Sequence, residues 1–90
     1  MNIQEAVKEG IKQKKMIKRK SWETPDRLIP TNDPFNLIAG YVSSEKRIFR
    51  GWQPMTNDLI ADDWYITNES YKNITLFPYK QYHHQKAIQE

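Results

Sequence analysis

Apolar residues recur with helical spacing at the start of the chain. Ile3, Ala6, Val7, Gly10 and Ile11 fall at i, i+3, i+4, i+7 and i+8, which predicts one buried helix face over residues 3–14. Asn2 is a good N-cap, and Glu5 three residues later can complete a capping box. Lys12, Lys14 and Lys15 close the helix where its dipole favours cations. The period then falls to two. Residues 16–22 read as a strand, with Ile17, Arg19 and Ser21 on one face and Met16, Lys18, Lys20 and Trp22 on the other. Residues 23–26 form a turn, 27–29 a short strand stopped by Pro30, and 31–34 a second turn.

Residues 37–42 and 47–52 predict a hairpin around the four-residue loop 43–46, with Pro54 ending its second strand. Thr56 can cap a short helix over 57–62, with Asn57 and Asp58 in its first turn. Ile60 lies four residues before Trp64, so the two are expected to reach the core together. Residues 64–67 read as a closing strand. Residues 74–77 read as an edge strand and 79–88 as a short helix or tail. The pattern gives an α+β fold. An N-terminal amphipathic helix packs on a small antiparallel β-sheet of about four to five strands, with a short helix near 57–62. Residues 1–68 make the domain, and 69–90 a C-terminal extension.

Composition narrows the function classes. Ninety residues are one domain's worth. A chain this short buries only about 60–65% of its unfolded surface, so its core is thin and self-association would help it. With no cysteine, a disulfide scaffold, a cysteine zinc site and a thiol nucleophile are excluded. No apolar run approaches the roughly 18–20 residues of a membrane span. The N-terminus lacks the basic-then-apolar plan of a signal peptide, so the expected location is cytoplasmic.

The net charge of +3 is segregated. Seven of the fourteen Lys and Arg residues lie between Lys8 and Lys20, and three of the eleven acids lie in 58–63. The basic stretch 12–20 reads as a solvated helix end and an exposed strand face, or as a nucleic-acid patch that no recognised motif supports. His83 and His84 are adjacent, so they diverge and cannot easily chelate one metal. Asp58, Asp62 and Asp63 suit caps and helix-dipole partners better than a metal. The three glycines, at 10, 40 and 51, are isolated and make no phosphate loop. No Ser-His-Asp set can be assembled. The chain is therefore not expected to be an enzyme, and no cofactor is implied.

Trp22 and Trp52 are the candidate chemistry. Each ends a predicted strand beside arginine or lysine and before a polar turn. Such a ring stacks on a nucleobase, worth about 1–3 kcal/mol per base. Arg19, Lys20, Arg47 or Arg50 would meet phosphate. Thr56, Asn57 and Asp58 suit ribose hydroxyls and base edges, since the Asp58 carboxylate would repel phosphate from the short helix.

The block Trp52-x-Pro54-x-x-x-Asp58-Leu59-x-Ala61-x-Asp63-Trp64 resembles the C-terminal signature of a phage and prophage family, the Thoeris anti-defence sponges of the second type. The helix followed by Arg19-Lys20-Ser21-Trp22 is similar to that family's N-terminal half, and the likeness spans residues 2–67. Residues 28–35 also resemble a shorter, staphylococcal-prophage branch. The resemblance implies a non-catalytic protein that sequesters a cyclic ADP-ribose isomer, with cyclic dinucleotides as further ligands for some members. It implies a homo-oligomer, a dimer or tetramer, with ligand sites between protomers. The matched positions are Arg19, Trp22, Trp52, Pro54, Thr56, Asn57, Asp58 and Asp63, the last as readily structural as ligand-binding. Two rival readings stand beside this one: a module that binds a host protein, and a non-specific nucleic-acid binder.

Overall fold

The computed structural model of the chain describes residues 1–31 and 38–74. Helix α1 spans Ile3–Gln13, and the strands are β1 (Lys15–Arg19), β2 (Asp26–Ile29), β3 (Ala39–Val42), β4 (Arg47–Phe49) and β5 (Trp64–Ser70). Helix α2 (Thr56–Ile60) sits between β4 and β5. The strands form one antiparallel five-stranded sheet in the order β4-β3-β2-β1-β5. Strands β1 to β4 meander outward. The chain then returns through α2 so that β5 pairs with β1. The expected α+β fold is the one observed.

The start of α1 follows its sequence signal. Asn2 Oδ1 accepts the Glu5 N–H at 2.8 Å, and Glu5 Oε1 accepts the Asn2 N–H at 2.9 Å. Lys14 ends the helix in the left-handed region, at φ 56. The buried face is narrower than expected. Ala6 and Gly10 are buried, but Ile11 is 45% exposed. At about 100° per residue Ile11 lies roughly 140° around the helix from Ala6, outside the stripe that meets the sheet.

Both sheet faces carry buried residues. On the α1 side Ala6, Ile17, Leu28 and Trp64 form a cluster, with Trp22, Trp52 and Ile66 packed against it. On the other side Met16, Ile29, Ala39 and Tyr41 cluster beside Ile48, Tyr71 and Ile74. Strand β1 is therefore apolar on both faces at Met16 and Ile17, as a central strand should be. That explains the imperfect alternation in 16–22, and the strand ends at Arg19 rather than at Trp22.

The hairpin keeps the expected 43–46 loop, with Val42 opposite Arg47 and Gly40 opposite Phe49. Its second strand ends at Phe49, earlier than Pro54, because Gly51 turns the chain at φ 70. The expected elements at 74–77 and 79–88 and the turn at 31–34 fall wholly or largely outside the described residues.

Gly40 is where β3 and β4 approach closely. A Cβ there would fall 1.9 Å from the Phe49 ring, which lies over the glycine. Gly40→Ala should displace that ring and destabilise the domain by about 1–3 kcal/mol, the usual cost of overpacking. Urea denaturation followed by tryptophan fluorescence measures this, and an unchanged midpoint would show that the ring moves away freely.

Candidate functional site

Three tryptophans distant in sequence meet at one corner of the α1 face. Trp64 opens β5 and is 1% exposed. Trp22 follows β1, with its N–H donating to the Arg19 carbonyl at 3.1 Å. Trp52 follows β4, with its N–H donating to the Ile38 carbonyl at 2.8 Å. The ring centroids of Trp22 and Trp64 are 5.2 Å apart, those of Trp52 and Trp64 5.9 Å, and those of Trp22 and Trp52 6.3 Å. All three pairs are edge-to-face, an arrangement worth about 0.5–1.5 kcal/mol per pair beyond burial. Trp22 and Trp52 remain half-buried. Breaking these contacts would cancel what stacking on a base gains, so a planar ligand would use the exposed parts of the two rings.

A charged cluster fixes the corner from below. Arg19 Nε donates to Asp63 Oδ1 at 2.8 Å, and Nη1 donates to Asp58 Oδ1 at 3.0 Å. The second Asp63 oxygen accepts the Ser21 N–H at 3.1 Å. The second Asp58 oxygen accepts the Met55 N–H at 2.9 Å. Trp64 joins the two groups, since its Nε1–H donates to the Asp58 carbonyl at 2.9 Å. The hydrogen bond from Arg19, helped by Ser21, holds the Asp63 carboxyl below its ordinary value of 3.8, against the opposing effect of desolvation. Hydrogen bonds to Asp63 and then Asp58 raise the Arg19 guanidinium in turn.

The predicted residues thus fall into three groups. Arg19, Asp58 and Asp63 form the charged cluster, with Asp58 buried. Trp22 and Trp52 meet through their rings. Pro54, Thr56 and Asn57 lie exposed on the segment between them. Two local expectations change. The N-cap of α2 is Met55, not Thr56, and the carboxylate of Asp58 reaches back to the Met55 N–H. Ile60 does not anchor α2 beside Trp64, being 75% exposed; a helix starting at 56 points Ile60 outward with Met55 and Leu59.

The helix end of the basic stretch is exposed as expected, at Lys12 and Lys14, but its strand part is not the exposed face expected of it. Lys18 is buried, with Nζ donating to the Thr24 carbonyl at 3.1 Å, and Arg19 is held by two aspartates. Among the described residues no group of three His, Cys, Asp or Glu could hold a metal ion, and no helix is long and apolar enough to cross a membrane. His83 and His84 lie outside the described residues.

The Asp63 shift sets an acid prediction. A carboxylate whose pKa is lowered by folding adds stability above its unfolded value, near pH 4, and loses it as the pH falls through the folded value. Asp63→Asn should therefore flatten the fall in stability below about pH 4. Urea midpoints from pH 7 down to pH 2 measure it, and parallel acid slopes for the two proteins would remove the assignment.

Comparison with known proteins adds one match. The family model Tad2-like, described as the Thoeris anti-defense 2-like domain, covers residues 1–67. No curated protein and no solved structure matches the chain.

Proposed function

The chain belongs to the Thoeris anti-defense 2-like family, and on that premise we propose that it binds and sequesters a cyclic nucleotide immune signal without turning it over. Family membership supports a Thoeris anti-defense role. The finer reading adds a cyclic ADP-ribose isomer as ligand, with cyclic dinucleotides as the related class. It has a phage or prophage protein acting as a homo-oligomer in the cytoplasm of the infected or lysogenic bacterium.

The observation that carries this reading is the tryptophan corner. Two half-buried indoles from separate loops meet at 6.3 Å, beside the exposed polar segment holding Pro54, Thr56 and Asn57. That supplies rings for a base and polar groups for a ribose at one place. The position of Arg19 alters the phosphate part of the reading. Two of its five N–H donors go to carboxylates, so phosphate would be met by its remaining donors or by other cations of the corner loops.

A second reading, a module that docks on a host protein, draws on one observation. Met55, Leu59 and Ile60 are 71%, 51% and 75% exposed on and beside α2, an apolar patch of the kind that marks interaction surfaces. The same patch would serve self-association. The nucleic-acid reading loses support from the burial of Lys18 and the pairing of Arg19.

Calorimetry of the full chain with cyclic ADP-ribose isomers and with cyclic dinucleotides separates these readings. Sequestration predicts saturable heat with at least one ligand and its recovery unchanged by chromatography. Trp52→Ala, with the fold checked by near-ultraviolet circular dichroism, should weaken binding about 5- to 150-fold, the equivalent of one lost stacking contact. Absence of heat with every ligand, or a cleaved ligand, sinks the sequestration reading. Recovery of one host protein in a pull-down abolished by Leu59→Asp would then favour the second.

A further inference from the structure

On the sheet face away from α1, two cations stand side by side. Ile17 pairs with Leu28, so the next step of the antiparallel ladder sets Lys18 beside Arg27. Lys18 also pairs with Tyr65 of β5, and Arg27 with Tyr41 of β3. The row across four strands therefore runs Tyr65, Lys18, Arg27, Tyr41. Like charges placed opposite each other destabilise a sheet. Burial sharpens the conflict here, because Lys18 is 8% exposed and the Arg27 side chain 20%. Among the described residues compensation is thin. Lys18 Nζ, which carries three donors, gives one to the Thr24 carbonyl. Arg27 Nη1 donates to the Pro25 carbonyl at 2.7 Å. The buried Arg27 Nε is ion-paired with Glu69 but makes no well-aligned hydrogen bond.

Glu69 reaches Arg27 because β5 bulges. Lys15 pairs with Ser70 and Ile17 with Ile66, so residues 67–69 of β5 stand opposite Met16 alone. Thr67 secures the bulge: its Oγ1 donates to the Met16 carbonyl at 2.8 Å and accepts the Glu69 N–H at 3.2 Å. Beside the bulge lies an open depression of about 470 Å³ lined by Arg27, Tyr65, Ile66, Thr67, Asn68 and Glu69. Its size is that of a small-molecule pocket.

We propose that this depression binds an oxyanion, the carboxylate or phosphate group of a small molecule, with Arg27 as the principal donor. The site is separate from the tryptophan corner, which lies on the opposite face. Glu69 holds Arg27 and also accepts from the Ser43 hydroxyl at 3.4 and 3.5 Å, long contacts on a side chain that is 37% exposed and would have to yield to a ligand. The incoming oxyanion takes its place on a guanidinium fork that matches carboxylate and phosphate geometry. Lys18 adds a second positive charge one strand away, poorly screened because it is buried. The half-buried Tyr65 and the exposed Asn68 are left to contact the rest of the ligand.

The test is a nuclear magnetic resonance titration of the full chain with sodium phosphate and, separately, sodium acetate. Sodium chloride holds ionic strength constant. Saturable shifts at Arg27 Nε and at the Asn68 and Glu69 amides are expected with at least one of the two. Phosphate alone identifies a phosphate ester, and acetate alone a carboxylic acid. Arg27→Gln should abolish the shifts. Glu69→Gln should tighten binding by about tenfold, because it removes the competing negative charge. No saturable shift, shifts that survive Arg27→Gln, shifts confined to the tryptophan corner, or a Glu69→Gln variant that binds no more tightly would each overturn the proposal. Should Arg27→Gln fail to fold, Glu69→Gln decides alone, since structural damage does not produce a gain in affinity. Cyclic nucleotide binding at the corner is read separately by tryptophan fluorescence, so failure at one site leaves the other standing.

Discussion

The guanidinium of Arg19 joins parts of the chain that lie about forty residues apart in sequence. It leaves the end of β1, meets Asp63 just before β5 and meets Asp58 inside α2. Helix α2 depends on such links. A helix of five residues is far below the length that holds itself in water. Its large apolar residues, Leu59 and Ile60, point outward and give it little core anchorage. What fixes it is polar. Asp58 accepts from Arg19 and from its own N-cap, and its carbonyl accepts from the Trp64 indole. Trp64 in turn holds Trp22 and Trp52, so one cluster of hydrogen bonds sets both the placement of α2 and the shape of the aromatic corner.

How far the sequence revealed this varies by element. Helix α1 was legible because its signals are local: Asn2 and Glu5 sit three residues apart and bond each other. The hairpin loop at 43–46 was legible for the same reason. The start of α2 is not legible in the same way, since Thr56 is the better N-cap by type while Met55 holds the position and the Asp58 carboxylate accepts its N–H. Ile60 departs from its sequence expectation because a helical period says which residues share a face, not which way the face points. That direction is set by Arg19, a contact invisible to any local pattern.

The candidate site was half legible. Trp22 and Trp52 stand out by type and context, but they follow β1 and β4, strands that are joined only through β2 and β3. The Arg27 depression gave no sequence signal at all. Arg27 sits in a four-residue strand; alternation from Tyr65 puts Glu69 on its face, but the register that brings Glu69 near it comes from the three residues of β5 that oppose one of β1. A bulge of that kind is a property of pairing, which no single strand announces.

Charge shows most clearly how folding redefines the parts. Along the chain the bases of 8–20 and the acids of 58–63 are separate blocks that suggest separate partners. In the fold the blocks meet, and Arg19 of the first is held by Asp58 and Asp63 of the second. Electrostatic attraction that would have served a ligand is largely spent on architecture at that point. On the proposed function, selectivity at the corner would rest on the exposed rings of Trp22 and Trp52 and on the polar loop between Trp52 and Asp58. Stacking by such rings depends little on net charge, so the proposed binding would lean less on electrostatic attraction than the separate charge blocks of the sequence suggest.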